Sequence, residues 1–327
     1  MKTAQMKTAP SKKVIVACMR NEALFVVEWL AHHLAMGFDR IIVFTNDCDD
    51  GTDTILELLA GSGTIEHYDN PGPYDAGSIQ KQALALAFAL PQVKNADWVL
   101  HIDADEYVNV SVGGRKIDDL IALHPGADAI AIMWRHFGSA GQKTWAGGSV
   151  IESFIRCEAV VPDVAKGELA NFKTLFRPQN FKMLSVHTPK LPRGDFVPVV
   201  VNTAGTPMPI KTLLSKAGSG YAASPEQVTW NNACLHHHHV KSDDLHLMKH
   251  ARGDANGRKN AKRVIGSDFY RYADRNEVHS KSLVRLRPKV QRAEARLRAI
   301  AGVVAAEARA WDWFATNFQS AAPCTAD

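Results

Sequence analysis

Two short β-rich runs with a helical repeat between them constrain this chain more than any other feature. Val14–Cys18 reads as a strand. After the polar break Met19–Glu22, the residues Leu24, Phe25, Val27, Trp29, Leu30, His33 and Leu34 recur at helical spacing, and Gly37 supplies a stop. A second strand follows at Arg40–Phe44. Thr45–Thr52 is then dense in turn formers, and Asp53–Ala60 reads as a helix. Strand, helix, strand, helix implies a parallel sheet with right-handed crossovers. Ligands of such sheets lie at the carboxyl ends of the strands. The clusters Arg20-Asn21-Glu22 and Asn46–Asp50 both stand at such ends. Either alone is ordinary loop composition. Together with an acidic cluster downstream they mark a shared site.

That acidic cluster follows a third strand at Thr64–Tyr68, a loop at Asp69–Gly77 and a buried helix at Ile79–Leu90, which starts with Gln80 near the strand ends. In Trp98–Asn109 an apolar run (Val99, Leu100, Ile102) meets Asp103, Asp105 and Glu106, and apolar residues resume at Tyr107 and Val108. The stretch reads as a buried strand whose end delivers carboxylates to a cleft. In extended backbone Asp103 and Asp105 point the same way. Two such carboxylates repel unless a cation lies between them. A hard divalent ion, held by one or two carboxylates and phosphate oxygens, fits this geometry. The plain alternative is a strand end followed by a polar turn, since D-x-D is a common pattern.

The chain has 327 residues, 46% hydrophobic and 22% charged, which suits one α/β sheet with excursions and an ordinary core. A net charge of +4 suits a polyphosphate substrate or anionic lipid without requiring nucleic acid. Cys18, Cys48, Cys157, Cys234 and Cys324 are scattered and form no C-x-x-C pair, which argues against a disulfide framework or structural zinc and for a reducing cytosol. No run of about 18 apolar residues suggests a membrane span. Met1–Lys13 carries lysines but no apolar segment, so a disordered lead-in is expected there rather than a signal peptide. Neither G-x-G-x-x-G after the first strand nor G-x-x-x-x-G-K-[ST] is present. Phosphate would therefore be neutralised by metal and side chains, not by a glycine-rich helix start.

Further on, Ala129–Trp134 reads as a strand, Arg135–Gly148 as a loop and Val150–Ile155 as another extended run. Glu152 inside that run is either a general base or the partner of Arg156 or a nearby lysine. Lys173 and Arg177 either face phosphate or are solvated. Asp195–Pro209 is irregular, and Lys211–Pro225, with Gly218, Ser219 and Gly220, reads as a mobile loop over the site. In His236–His239, a strand would put His237 and His239 on one face and His236 and His238 on the other. From Ser242 the pattern turns helical. Lys281–Arg298 is basic against the single acid Glu294. This tail either lies as an amphipathic helix on an anionic membrane or packs back on the body with its basic face solvated.

The ordered set of Arg20–Glu22, Glu28-Trp29, Asn46–Thr52, Gln80-x-x-Ala83, Asp97–Glu106, Trp134–Gly141, Val150–Phe154, Lys173–Pro178 with His187, Leu235–Ser242 and Lys249-x-x-Arg252-Gly253 resembles the glycosyltransferase family 2-like proteins. These are bacterial relatives of the family 92 transferases. The resemblance implies a GT-A fold: an α/β mixed sheet flanked by helices, with a helical C-terminal extension. It divides the chain into a lead-in (1–13), a nucleotide-sugar-binding half (14–128), an acceptor-binding half (129–242) and the extension (243–327). It also implies a nucleotide-sugar donor, a glycan or glycolipid acceptor, and Mn2+ or Mg2+. Carried over, Arg20, Asn21, Glu22, Asn46, Asp47, Asp50, Gln80 and Asp103 bind the donor. Asp103, Asp105 and His237 hold the metal. His136, Lys173 and His187 meet acceptor or phosphate, and Glu152 is the candidate base. Cys48 departs from the family, which usually has serine there, and leaves a hydrogen bond of this loop in question. The expected function is a metal-dependent glycosyltransferase of the cytoplasm, with peripheral contact at the inner membrane face through the basic tail. The alternatives are a sugar-nucleotide nucleotidyltransferase or a non-catalytic binder of polyanions or membrane surfaces.

Overall fold

The computed structural model describes residues 12–74, 78–216, 223–253 and 264–319. Residues 1–11 of the expected lead-in, Gly77, the glycine-rich stretch Gly218–Gly220 and the basic stretch 254–263 lie outside them. Lys13, expected in the lead-in, already opens the first strand.

The chain starts with β1 (Lys13–Met19), α1 (Ala23–Ala35), β2 (Arg40–Thr45), α2 (Thr52–Ala60) and β3 (Ile65–Asp69). β1 pairs parallel with β2 and β2 with β3, as the alternating pattern requires. Gly37, which ends the first crossover helix, has φ +98°, a left-handed conformation that glycine adopts at no steric cost. Both faces of this sheet are buried. Ile15, Ala17 and Ile41 join one apolar cluster with α1 and α2, while Val14, Val16 and Ile42 join a second on the opposite face. That is why the strands read as continuous apolar runs rather than as alternating ones.

Next come α3 (Ile79–Ala89), capped by the Ser78 hydroxyl, and the single turn α4 (Pro91–Lys94). β4 (Trp98–His101) then pairs parallel with β1. Here the structure corrects the expectation of one extended run. β4 ends at His101, the chain turns at Ala104 and Asp105, and β5 (Glu106–Val110) departs for the far edge of the sheet. The Glu106 N–H donates to the Asp103 carbonyl at 3.1 Å, and the Glu106 carboxylate accepts from the Asp103 N–H at 3.1 Å. This closed turn ends the extended backbone before Asp105, so the two-residue alternation of a strand does not govern Asp103 and Asp105.

After α5 (Ile117–Leu123), the strand β6 (Ala129–His136) crosses the sheet centre. Val150–Ser153 is a helical turn, α6, not the extended run expected there. β7 (Arg156–Cys157), β8 (Phe172–Phe176), β9 (Phe181–Met183) and β10 (Lys190–Pro192) follow. The stretch 195–209, expected to be irregular, contains β11 (Val200–Asn202), which pairs parallel with β6. β12 (Ala233–His237) inserts between β6 and β5, parallel to the first and antiparallel to the second. The strand order is β3-β2-β1-β4-β8-β6-β12-β5, a mixed sheet in which β8 runs against both neighbours.

β5 is an edge strand, and α1 closes its free side. Trp29 Nε1 donates to the Glu106 carbonyl at 2.9 Å and His32 bonds the Val108 carbonyl at 2.8 Å. The Val108 N–H donates to His33 Nε2 at 3.3 Å. Side chains thus satisfy backbone groups that an open edge would expose.

The C-terminal part comprises α7 (Asp243–Arg252), α8 (Asp268–Ala273), β13 (Val278–His279), α9 (Arg287–Arg298) and α10 (Val303–Phe314). Val290, Leu297, Val303, Ala306 and Phe314 join the same apolar cluster as Trp29 and Leu30. The tail therefore packs back on the body. Buried Glu294 accepts from Arg287 at 2.6 Å and from Arg298 at 3.2 Å. Among the described residues no helix is long and apolar enough to cross a membrane.

Candidate active site

A cleft of about 610 Å³ opens where β1, β4, β6 and β12 end, with α7 and α8 along its other side. Cys18–Arg20 and Glu22 enter it from β1, Asn46 from β2 and Gln80 from α3. Asp103, Ala104 and Asp105 form its floor. Trp134, His136, His237 and His239 line one wall, and Lys249, Arg252, Phe269 and Tyr272 complete it.

The two strand-end clusters brace each other. Asn21 and Asp47 both adopt left-handed backbone (φ 51° and 45°), which Asn and Asp tolerate better than most residues. Asn21 Oδ1 accepts from the Asp49 N–H at 3.1 Å, and Arg20 Nε donates to the Asp47 carbonyl at 3.1 Å. Asp50 accepts the Ala23 N–H at 2.8 Å and the Thr52 N–H at 2.9 Å, so it serves the first turns of both α1 and α2. Cys48 Sγ reaches the Asn46 carbonyl at 3.7 Å, a weak thiol hydrogen bond. Of the expected donor residues, Arg20, Glu22, Asn46, Gln80 and Asp103 line the cleft. Asn21, Asp47 and Asp50 do not; they shape the loops beneath it. Arg252 ties α7 to this region, pairing with the Glu22 carboxylate and donating to the Arg20 and Asn21 carbonyls.

Asp103 and Asp105 have separate partners. Asp103 Oδ2 lies 2.9 Å from Lys173 Nζ, and its Oδ1 accepts from Gln80 Nε2 at 3.1 Å. Burial alone would raise its pKa, but the Lys173 ammonium and then His101 overcome that and hold it down at about 2. Glu106, wholly buried beside the same lysine, goes the other way: burial pushes its pKa well up. Lys173, expected to face phosphate, is fully buried under Asp103 and reaches the cleft only through that carboxylate.

Asp105 is grouped with two histidines. Its Oδ2 lies 3.5 Å from His237 Nε2 and 3.7 Å from His239 Nδ1. All three residues are buried, and their donor atoms fall within 4.8 Å of one another. His237 ends β12 and His239 lies in the bend just after it; both line the cleft, on one side as their spacing predicts. His236 and His238 pack against Phe137 on the other, with ring centroids at 4.1 and 4.7 Å. One carboxylate and two imidazoles form a donor set that suits a divalent ion. Lys249 Nζ occupies the same neighbourhood, donating to Asp105 Oδ2 and lying 3.0 Å from His239 Nδ1. Burial would raise the Asp105 pKa, yet Lys249 and His237 hold it well below the carboxylate range. Asp103 stands outside this set, engaged instead by Lys173 and Gln80 on the same cleft floor.

On the same wall, the Trp134 ring lies 4.3 Å from that of His237, and His136 packs at 5.1 Å against Tyr272. His136 lines the cleft, with its pKa pushed down to about 3 by burial and then by His237 and Arg275. His187 does not line it. It bonds the Phe172 carbonyl at 2.9 Å behind Trp134. Glu152 is far from the cleft chemistry: it sits on α6 and pairs with Arg287 at 2.8 Å, not with Arg156 or a lysine. Arg177 stacks on Trp98 at 4.3 Å and is structural.

His239, Lys249, Phe269 and Tyr272 went unassigned from the sequence. A usable signal existed for Lys249 and Arg252, whose three-residue spacing puts both on one helix face. His239 was equally available from its alternation with His237. Phe269 and Tyr272 on α8 have the same three-residue spacing, but aromatic residues at helical spacing ordinarily mark a core face.

The sequence model of glycosyltransferase family 92 matches residues 14–207. A family 92 protein of Oryza sativa subsp. japonica is 25% identical over 133 residues, 39% of this chain and 22% of that protein. One of Ricinus communis is 25% identical over 158 residues, 47% of this chain and 28% of that protein. The chain thus spans about a quarter of the length of the curated relatives it matches. Among solved structures, S. aureus TarS (residues 1–349) is 16% identical at a TM-score of 0.32, covering 51% of this chain and 47% of that one. Glucosyl-3-phosphoglycerate synthase of Mycobacterium tuberculosis, in complex with Mn2+, uridine-diphosphate and phosphoglyceric acid, is 15% identical at a TM-score of 0.27, covering 38% of this chain and 43% of that one. Structural likeness at this level carries no argument of its own.

Proposed function

The chain belongs to glycosyltransferase family 92, and from that premise we propose that it moves a sugar from a nucleotide-sugar donor to a glycan or glycolipid acceptor. The observation that carries this reading is the convergence, in one cleft, of the Asp105–His237–His239 donor set with Asp103 of the same turn and with Arg20, Asn46 and Gln80 from three other elements. In this reading the half from 14 to 128 supplies the donor side. The half from 129 to 242 supplies the acceptor side, where Trp134 and His136 are joined by Tyr272 from the extension. Asp105, His237 and His239 would hold Mn2+ or Mg2+, which when bound supplies a Lewis acid for the charge left on the departing diphosphate.

The chain's own groups do the rest. Gln80 and Lys173 fix the Asp103 carboxylate at the cleft floor, ionised and one-third exposed (34%), where it can accept from a sugar or ribose hydroxyl. Arg252 holds the Arg20–Glu22 turn in place, so Arg20 meets the donor on a fixed backbone. The Trp134 and Tyr272 rings give a sugar ring an apolar surface on which to lie. A cytoplasmic location is proposed with this activity. It is supported by the free state of the described cysteines, Cys18, Cys48, Cys157 and Cys234. Exposed Arg285, Lys289, Arg292 and Arg296 support peripheral contact with an anionic surface.

The test is turnover of a panel of nucleotide sugars with added Mn2+. Release of free nucleoside diphosphate is expected. Pyrophosphate release would point to nucleotidyl transfer instead, and no turnover with any donor would reject the reading.

A further inference from the structure

Asp105 takes part in two arrangements that cannot be satisfied together. With His237 and His239 it forms the compact donor set described above. The same Asp105 Oδ2 accepts from Lys249 Nζ, which also meets His239 Nδ1 at 3.0 Å and the His239 carbonyl at 3.2 Å. An ammonium has three N–H donors and no acceptor, so these three acceptors match it one for one. The carboxylate has lone pairs to spare, but a divalent ion held by Asp105 and His239 through Nδ1 needs the one lone pair that this nitrogen offers the ammonium. Two cations competing for it also repel each other across a poorly solvated space.

We infer that Lys249 is a displaceable cation of the chain's own, filling the Asp105–His239 position until a divalent ion replaces it and releasing an ammonium toward the cleft when that happens. The placement of Lys249 allows this. Its side chain is 12% exposed, it lines the cleft, and it lies one turn from Arg252 on α7. The released ammonium meets the space where a diphosphate would lie. Ion and nucleoside diphosphate then favour each other, because one takes Asp105 while the other takes the lysine. The exchange deepens the proposed function but rests on it only for the coupling to nucleotide.

Mn2+ alone, titrated into the full chain and followed by loss of the free-ion EPR signal, tests the exchange. Lys249→Gln should bind Mn2+ about tenfold or more tightly than the parent chain, within the usual range of a coupling between two sites. Lys249→Arg, which keeps the charge, should not. Equal or weaker Mn2+ binding by Lys249→Gln overturns the inference, and so does a lack of Mn2+ binding in both chains. If Lys249→Gln folds poorly without metal, thermal unfolding in Mn2+ against EDTA gives the same answer. A larger stabilisation by Mn2+ than in the parent supports the exchange, and no stabilisation sinks it. With UDP present, Mn2+ affinity should rise in the parent and rise less in Lys249→Gln. A chain that ignores UDP and every other nucleoside diphosphate yet shows the gain in Mn2+ affinity keeps the exchange and loses the transferase reading.

Discussion

The Lys173 ammonium stands 2.9 Å from Asp103 Oδ2 and has no exposure to solvent. It also lies 3.8 Å from Glu106 Oε1, so a single buried cation lies beside both acids that flank the acidic turn. Removing one partner of such a pair leaves the other charge uncompensated. Because Asp103 is one-third exposed, Lys173→Met is expected to cost less than a fully buried pair, on the order of 1–3 kcal/mol. Urea denaturation measures it, and a loss below about 1 kcal/mol, the range of exposed pairs, would show the pair is not effectively buried.

Loss of Asp105 acts on the cleft. Asp105→Ala removes the only carboxylate of the donor set. Mn2+ affinity should fall by about 100-fold or more, beyond what loss of an outer-shell partner costs. Titration calorimetry with Mn2+ reads this directly. Retained Mn2+-dependent nucleotide binding in this variant would place the metal elsewhere.

Glu152→Gln should leave turnover within about twofold and change stability by less than about 1 kcal/mol, as for other half-exposed ion pairs. Glu152 pairs with Arg287 on α9, and its side chain is 44% exposed. Steady-state kinetics on the variant decide it. A large fall in turnover would restore the base role that the sequence suggested.

Trp29→Phe deletes the hydrogen bond to the Glu106 carbonyl and keeps most of the buried ring. The orphaned carbonyl should cost about 1–3 kcal/mol in a denaturant titration. No loss at all would mean that α1 does not close the β5 edge through this bond.

Acid should destabilise the fold well above the range where carboxylates titrate. Burial, first among the causes in each case, lowers His32 and His187 to about 4 and His101 and His136 to about 3. The unfolded chain takes up these protons near pH 6.5 and the folded chain only below those values. Their contribution is thus complete above pH 6.5 and is lost as pH falls toward 3–4. Each such histidine adds a slope of about 1.4 kcal/mol per pH unit. Glu158 slopes the other way: burial raises it to about 7, so its contribution is complete below 4.5 and lost as pH rises through 7. Urea midpoints of Glu158→Gln at successive pH values remove one opposing term, and the same series on His136→Phe in that background reads a histidine's share directly as a shallower acid slope. A flat profile below pH 6.5 would contradict neutral core histidines.

Much of the first half of the fold was legible because its signals are local. The apolar runs of β1, β2 and β3, the helical repeat of α1 and the stop at Gly37 each declare themselves within a dozen residues. The alternation in His236–His239 likewise told correctly which two histidines share a face. Glu152 misled because a single turn of helix and a short strand look alike in four residues.

The sequence by itself determined which residues turn inward and that polar clusters gather at strand ends, since both follow from periodicity along the backbone. Only the tertiary structure decided that Asp103 belongs to Lys173 and Asp105 to His237, His239 and Lys249, the last 144 positions away. Those pairings depend on β8 running against β4 and on β12 slotting between β6 and β5. Strand order is a balance of packing and pairing over the whole sheet, and no local pattern carries it.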